Sequence, residues 1–158
     1  MNARNQKLSA SRIEEDAAIY TAIKILTRRT RKASSYISSP RDLQDLLQLH
    51  LGEQDHEVFV AVYLDARHGV ICTEDLFHGS LTGAAVYVGQ VVRKALQHNC
   101  AALVVAHNHP SGVAEPSAAD RELTERLRQA LALVEIRLLD HVVVGADTRV
   151  SFAERGWI

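Results

Sequence analysis

The chain is short of aromatic residues: three Phe, four Tyr and one Trp in 158 positions. That excludes an interior built mainly on stacked rings, so the core has to be aliphatic, assembled from Val, Leu, Ile and Ala. Cysteine is scarce as well. Cys72 and Cys100 sit apart in apolar surroundings with no Cys-x-x-Cys pair, which points to buried thiols rather than thiolate ligands for zinc. No N-terminal apolar run resembles a signal peptide and no run reaches membrane-spanning length, so the expectation is a cytoplasmic protein with no membrane partner. Internal repeats and low-complexity segments are absent. At 158 residues the chain can bury one real core and has no room for a second domain of useful size.

The charge is close to balanced overall but uneven along the chain. Residues 1–41 hold nine Lys/Arg against three Asp/Glu, and residues 42–158 hold nine against sixteen. The densest cationic cluster is Arg28, Arg29, Arg31 and Lys32. Such a cluster can neutralise phosphates and bind nucleic acid weakly and salt-dependently. It can equally be the solvated end of a helix, where cations oppose the helix dipole.

Residues 11–29 carry apolar positions near a 3.6-residue period and predict a helix. After a polar connector, Ser39-Pro40 opens a second helix running to about His50, with Ser as N-cap and Pro in the first turn. Residues 57–65 and 70–77 read as a hairpin around Arg67-His68-Gly69. Residues 88–98 form a predicted helix, 101–107 a strand, 117–134 a helix, and 136–144 and 149–152 two closing strands. The order α-β-β-α-β-α-β-β implies an α/β fold: a mixed β-sheet with helices packed against it.

Chemistry concentrates in one stretch. His107-Asn108-His109-Pro110 is followed by Ser117 and Asp120. On an extended backbone, residues two apart share a face, so His107 and His109 can converge on one point while Asn108 points the other way. Pro110 cannot continue a ladder, which puts the pair at a strand end where a loop begins. Asp120 falls in the first turn of the next helix. Two imidazoles and a carboxylate leave a fourth position on a tetrahedral zinc, which is how catalytic zinc sites keep a place for water. Ser117-x-x-Asp120 also has the spacing of a helix cap, and the two readings of Asp120 are compatible, because a capped turn would fix its carboxylate.

These residues resemble the signature of the JAMM (JAB/MPN) metalloprotease superfamily, Glu … His-Ser/Thr-His-Pro … Ser-x-x-Asp, with matching spacing. More closely, residues 58–156 resemble the RadC-like family through Val62-Tyr63-Leu64-Asp65, Leu76-Phe77-His78-Gly79-Ser80-Leu81, Ala106 to Gly112, Pro116 to Asp120, and Leu139 to Gly145. The resemblance implies helices on both faces of the sheet in a cytidine-deaminase-like three-layer arrangement. It divides the chain into a basic helical arm, 1–38, and a RadC-like JAB/MPN domain, 39–158. It implies Zn²⁺ held by His107, His109 and Asp120, an upstream Glu as proton carrier, and a Ser117 that helps stabilise an oxyanion. Glu57 is the best match for the carrier and Glu53 the fallback; read without the resemblance, Glu57 is an exposed residue at a strand start.

Asn108 stands where eukaryotic relatives carry Ser or Thr, a difference that leaves the substrate open while keeping the metal chemistry. His141, in an apolar strand, reads as a satisfied core or rim histidine. His78 is placed at the cleft rim. The literal string His-Asn-His is not the HNH nuclease signature, and the His-x-Glu and Pro-Cys-x-x-Cys ligands of zinc deaminases are absent.

The resemblance implies a zinc-dependent hydrolase of peptide or isopeptide bonds acting on a protein or peptide substrate. Two alternatives stand beside it. One is a nucleic-acid-associated protein of the kind the family's DNA-repair label implies. Longer relatives carry an N-terminal helix-hairpin-helix region, and the 56 residues before the first strand suggest a short form without it. The other is a zinc-bearing interaction module without turnover.

Overall fold

A computed structural model describes residues 12–25, 39–79 and 85–158. The cluster Arg28, Arg29, Arg31 and Lys32 lies outside the described residues. Residues 12–25 are helical (α1). Helix α2 (Pro40–Leu51) starts as the sequence predicts: Ser39 is its N-cap, the Ser39 hydroxyl accepts from the Asp42 amide at 3.3 Å, and Pro40 opens the first turn. The chain continues through β1 (Val58–Leu64), β2 (Val70–His78), α3 (Val88–Gln97), β3 (Ala102–Asn108), α4 (Ala118–Ala132), β4 (Arg137–Val144) and β5 (Arg149–Ser151).

The five strands form one mixed sheet in the order β2-β1-β3-β4-β5. Strands β3 and β4 are parallel and joined through α4; every other pair is antiparallel. The central strands are buried along their whole length. Their side chains divide by parity, as the two-residue period of a strand requires. Val58, Val60, Val62 and Leu64 join Ala102, Val104 and Ala106 under the α2 residues Leu43, Leu46, Leu47 and Leu51. Phe59, Ala61 and Tyr63 join Leu103 and Val105 beneath Val91 and Ala95 of α3 and Leu127 and Leu131 of α4. Aliphatic residues dominate both layers, and helices cover both faces of the sheet.

Several details depart from the sequence reading. Strand β3 runs through Asn108 rather than stopping at His107, because Asn108 still pairs with Val144 of β4. Strand β1 begins at Val58, so Glu57 lies just outside it. Cys100 is buried, but Cys72 is only half-buried because β2 is an edge strand with one covered face; neither forms a disulfide. Among the described residues no helix is long and apolar enough to cross a membrane.

Candidate metal centre

The end of β3 carries the site. His107 and His109 project to the α3/α4 side and Asn108 to the α2 side. Backbone hydrogen bonds fix the turn that follows. His109 N–H donates to Val144 O, Gly112 N–H to His109 O, and Ala146 N–H to Gly112 O, at 2.9, 2.9 and 3.1 Å. Gly112 has φ +79°, a conformation that favours glycine. Helix α4 then begins with a complete capping box. The Ser117 hydroxyl accepts from Asp120 N–H at 3.1 Å, and the Asp120 carboxylate accepts from Ser117 N–H at 2.7 Å. The cap brings Asp120 back towards the histidines.

The structure thus gathers His107, His109 and Asp120 into one group, each offering a ligand atom within 4.8 Å of the others. His107 Nε2 lies 3.0 Å from His109 Nε2 and 3.2 Å from Asp120 Oδ1, and His109 Nε2 lies 3.5 Å from Asp120 Oδ2. Ligands at about 2.0–2.1 Å around a tetrahedral zinc are about 3.3 Å apart, so the separations from His107 Nε2 to His109 Nε2 and to Asp120 Oδ1 are close to the edges of a zinc tetrahedron.

The hydrogen-bond chain behind the ligands fixes where the protons are. Thr124 Oγ1 is 2.6 Å from Asp120 O and 2.6 Å from His141 Nδ1. A carbonyl only accepts, so the single hydroxyl proton goes to Asp120 O and Thr124 accepts from His141 Nδ1–H. His141 is fully buried, and burial, aided by the nearby His107, holds its pKa well below the ordinary value, so the ring stays neutral with a lone pair on Nε2. His107 Nδ1–H donates to that lone pair at 2.8 Å. His107 Nε2 is then left with a lone pair facing the site. His109 Nδ1–H donates to Val113 O at 2.8 Å, which leaves the same on its Nε2. Two imidazole lone pairs and a carboxylate oxygen therefore converge, and only a cation reconciles them. Without a metal that cation is a proton. The bond to Asp120 raises the His109 pKa despite its burial, with smaller contributions from Val113 O and the charge of Glu57. Burial works to raise the Asp120 pKa, but the neighbouring His107, His109 and Ser117 outweigh it and hold the carboxyl well below the usual range. The donor set and its protonation fit a divalent cation.

The rings are locked as well as oriented. Phe59 stacks on His107 with centroids 6.3 Å apart, and Phe152 stacks on His141 at 4.8 Å. His141 is the core histidine the sequence implies, yet it is also the partner that sets the His107 tautomer, a role the sequence reading missed along with Thr124. The available signal was the helical spacing of Thr124 four residues after Asp120.

Of the other expected residues, Glu57 is half-buried just before β1. Its carboxylate is not among the three grouped ligands, but its charge acts on His109. Glu53 is exposed in the preceding turn. Ser117 is the cap, and its hydroxyl donates to Asp120 Oδ2 at 2.6 Å. His78 is exposed and lies 3.3 Å from His56, Nδ1 to Nε2.

This α/β sandwich with a His-x-His and Asp cluster at its sheet end agrees with comparisons to known sequences. The pattern described as the RadC-like JAB domain matches residues 37–157. The chain belongs to that family. A UPF0758 protein of Nitrosomonas eutropha is 56% identical over 127 residues, 80% of this chain and 57% of its own length. A UPF0758 protein of Burkholderia thailandensis is 52% identical over 145 residues, 89% of this chain and 55% of its own length. The chain spans about half the length of the curated relatives it matches.

Proposed function

We propose that the domain is a zinc-dependent hydrolase of peptide or isopeptide bonds. One observation carries this reading: the Nε2 atoms of His107 and His109 lie 3.0 Å apart beside the Asp120 carboxylate, with the two rings held from behind by His141 and Val113 O. His107, His109 and Asp120 hold the zinc. When bound, zinc supplies Lewis acidity that activates water for attack on a carbonyl. Glu57 takes the proton of the attacking water and returns it to the leaving nitrogen. Ser117 turns its hydroxyl from Asp120 Oδ2 towards the carbonyl oxygen as negative charge develops there. Val113, 60% exposed beside His109, gives the substrate an apolar shoulder. The substrate is a protein or peptide.

The test is elemental analysis and cleavage of a broad peptide and isopeptide library, with wild type, His109→Ala, Glu57→Gln and Asp120→Asn. About one zinc per chain is expected in wild type and almost none in His109→Ala. Glu57→Gln keeps zinc and loses ~10²–10⁴-fold in rate, since an amide cannot take the proton. In Asp120→Asn, zinc and activity fall together. Equal zinc in wild type and His109→Ala sinks the ligand assignment, and full activity in Glu57→Gln removes Glu57 from its role.

A further inference from the structure

The middle residue of the His-Asn-His run has no place in the metal cluster. Alternation along β3 sends its side chain to the opposite face, where Asn108 is 3% exposed. There its amide is fully used. Oδ1 accepts from Val58 N–H at 2.8 Å; Nδ2 donates to His56 O at 2.9 Å and approaches Gln54 O at 3.5 Å. Since the backbone partners fix which end donates, the orientation of the amide follows from chemistry.

His56 O belongs to the peptide entering Glu57, and Val58 N–H to the peptide leaving it. One side chain therefore holds both peptide planes that bracket Glu57, and with them its φ and ψ. Glu57 O accepts from Gly79 N–H at 2.7 Å. The main-chain pairing of β1 with β3 ends at Phe59 and His107. The Asn108 amide extends that pairing by one more rung. Beyond it, Glu57 falls opposite His109 and shares the parity of Phe59, hence the face of the metal ligands.

We propose that Asn108 is a positioning residue: its side-chain amide clamps the chain on both sides of Glu57 and aims the carboxylate at the metal centre. The proposal rests on the reading of Glu57 as proton carrier. A proton carrier has to be held within hydrogen-bond reach of its target, and a displacement of about 1 Å can cost ~10²-fold in rate. The turn and bend at residues 52–56 offer little regular structure to do this. The same strand end thus serves both halves of the site, with ligands on one face and the clamp on the other.

Two variants test it. Asn108→Ala removes the clamp. Asn108→Asp keeps the shape and the acceptor for Val58 N–H but loses the donor to His56 O, and it serves if the alanine variant does not fold. The first readout needs no substrate: amide hydrogen exchange of the full zinc-loaded chain. Exchange at Val58, whose amide donates to Asn108 Oδ1, is expected to accelerate ~10-fold in Asn108→Ala, with the rest of β1 unchanged and zinc content kept. Unchanged exchange there, or loss of zinc equal to that of His109→Ala, overturns the clamp. The second readout is a thermodynamic cycle on the library peptides that wild type cleaves. Asn108→Ala is expected to lose ~10²-fold in kcat, and adding it to Glu57→Gln to cost little more, because both changes remove the same function. If Glu57→Gln is inactive while Asn108→Ala is fully active, the clamp is wrong and the role of Glu57 stands. If the two losses multiply, Asn108 acts elsewhere. If Glu57→Gln is fully active, the underlying reading fails first.

Discussion

Thr124→Val tests the proton chain behind the metal centre, and its size can be worked out. The substitution swaps a hydroxyl for a methyl in a buried position 2.6 Å from His141 Nδ1. His141 Nδ1–H then has no acceptor. A buried donor left unpaired costs about 1–3 kcal/mol. The metal-free protein has an escape: His141 moves its proton to Nε2, where it meets His107 Nδ1, and His107 carries its own proton on Nε2 instead. That proton sits where a metal has to bind, so zinc binding forces the unpaired N–H back. The cost therefore falls on zinc affinity rather than on the metal-free fold. At about 1.4 kcal/mol per factor of ten, it corresponds to a loss of roughly 5- to 150-fold, in line with the ~10–100-fold typical of outer partners of metal ligands. Competition against a chromophoric chelator at neutral pH measures it, with thermal unfolding of the metal-free and zinc-loaded forms alongside. Thr124→Ser restores the hydroxyl and is expected to bind like wild type. If Thr124→Val binds zinc as tightly as wild type, or if serine fails as badly as valine, the proton chain does not set the His107 tautomer.

Gly145 packs so close to the ligand loop that an added Cβ would collide with Gly112 O and press on Ala114 N. Gly145→Ala is expected to cost about 1–3 kcal/mol in unfolding free energy, and also to weaken zinc binding by moving the turn that orients His109; denaturant unfolding and chelator competition check both effects. His50 and Asp75 form a partly exposed pair at 2.8 Å, worth about 0.2–1 kcal/mol after solvent screening. The hydrogen bond to Asp75 raises the His50 pKa against the opposing effect of burial, and the same bond lowers that of Asp75, which also feels His78. The contribution of His50 is thus complete below its ordinary pKa of about 6.5 and lost as pH rises through its folded-state value; Asp75 loses its share as pH falls through its own lowered pKa. His50→Ala should lower the melting temperature in mildly acidic buffer and matter less in alkaline buffer, so a difference that grows with pH contradicts the assignment. Any binding of duplex DNA through Arg28, Arg29, Arg31 and Lys32 is expected to be weak and sequence-independent, with a log–log salt slope no steeper than about −3.6 if all four touch phosphate. It should vanish when the four are replaced by alanine; tight, salt-resistant binding to one DNA structure would favour a nucleic-acid role.

Much of the fold was legible because its elements carry their own punctuation. Ser39-Pro40 marks the start of α2, and Arg67-His68-Gly69 marks the hairpin between β1 and β2. The alternation of β1 and β3 was less useful. Both strands are buried on both faces, so Val58 to Leu64 and Ala102 to Ala106 read as unbroken apolar runs that do not say which residues face which helix. The end of β3 was misplaced for a related reason. Asn108 looks like a loop residue, yet its backbone pairs with Val144 and its side chain stands in for a further rung. Cys72 and Cys100 look alike in sequence and separate only when β2 proves to be an edge strand.

The cluster that could hold a metal was readable because His107, His109 and Asp120 are tied by local rules, a two-residue strand period and a helix cap. Their partners are tied by register, which is tertiary. His141 reaches His107 because β4 lies parallel to β3 with Val105 opposite His141, and nothing near residue 141 encodes that pairing. Glu57 and Glu53 separate by the same logic: the antiparallel register of β1 on β3 ends at Phe59 and His107, two residues short of residue 57, and leaves residue 53 in a turn. The topology explains why everything meets at one rim. Strands β3 and β4 are parallel, so both end there; β1 is antiparallel to β3, so it begins there; and α4, the link from β3 to β4, starts there with Asp120 in its first turn. Open α/β sheets place ligand sites outside the carboxyl ends of their parallel strands. In this sheet one strand reversal adds the segment bearing Glu57 to that end, which a fully parallel neighbour could not have supplied.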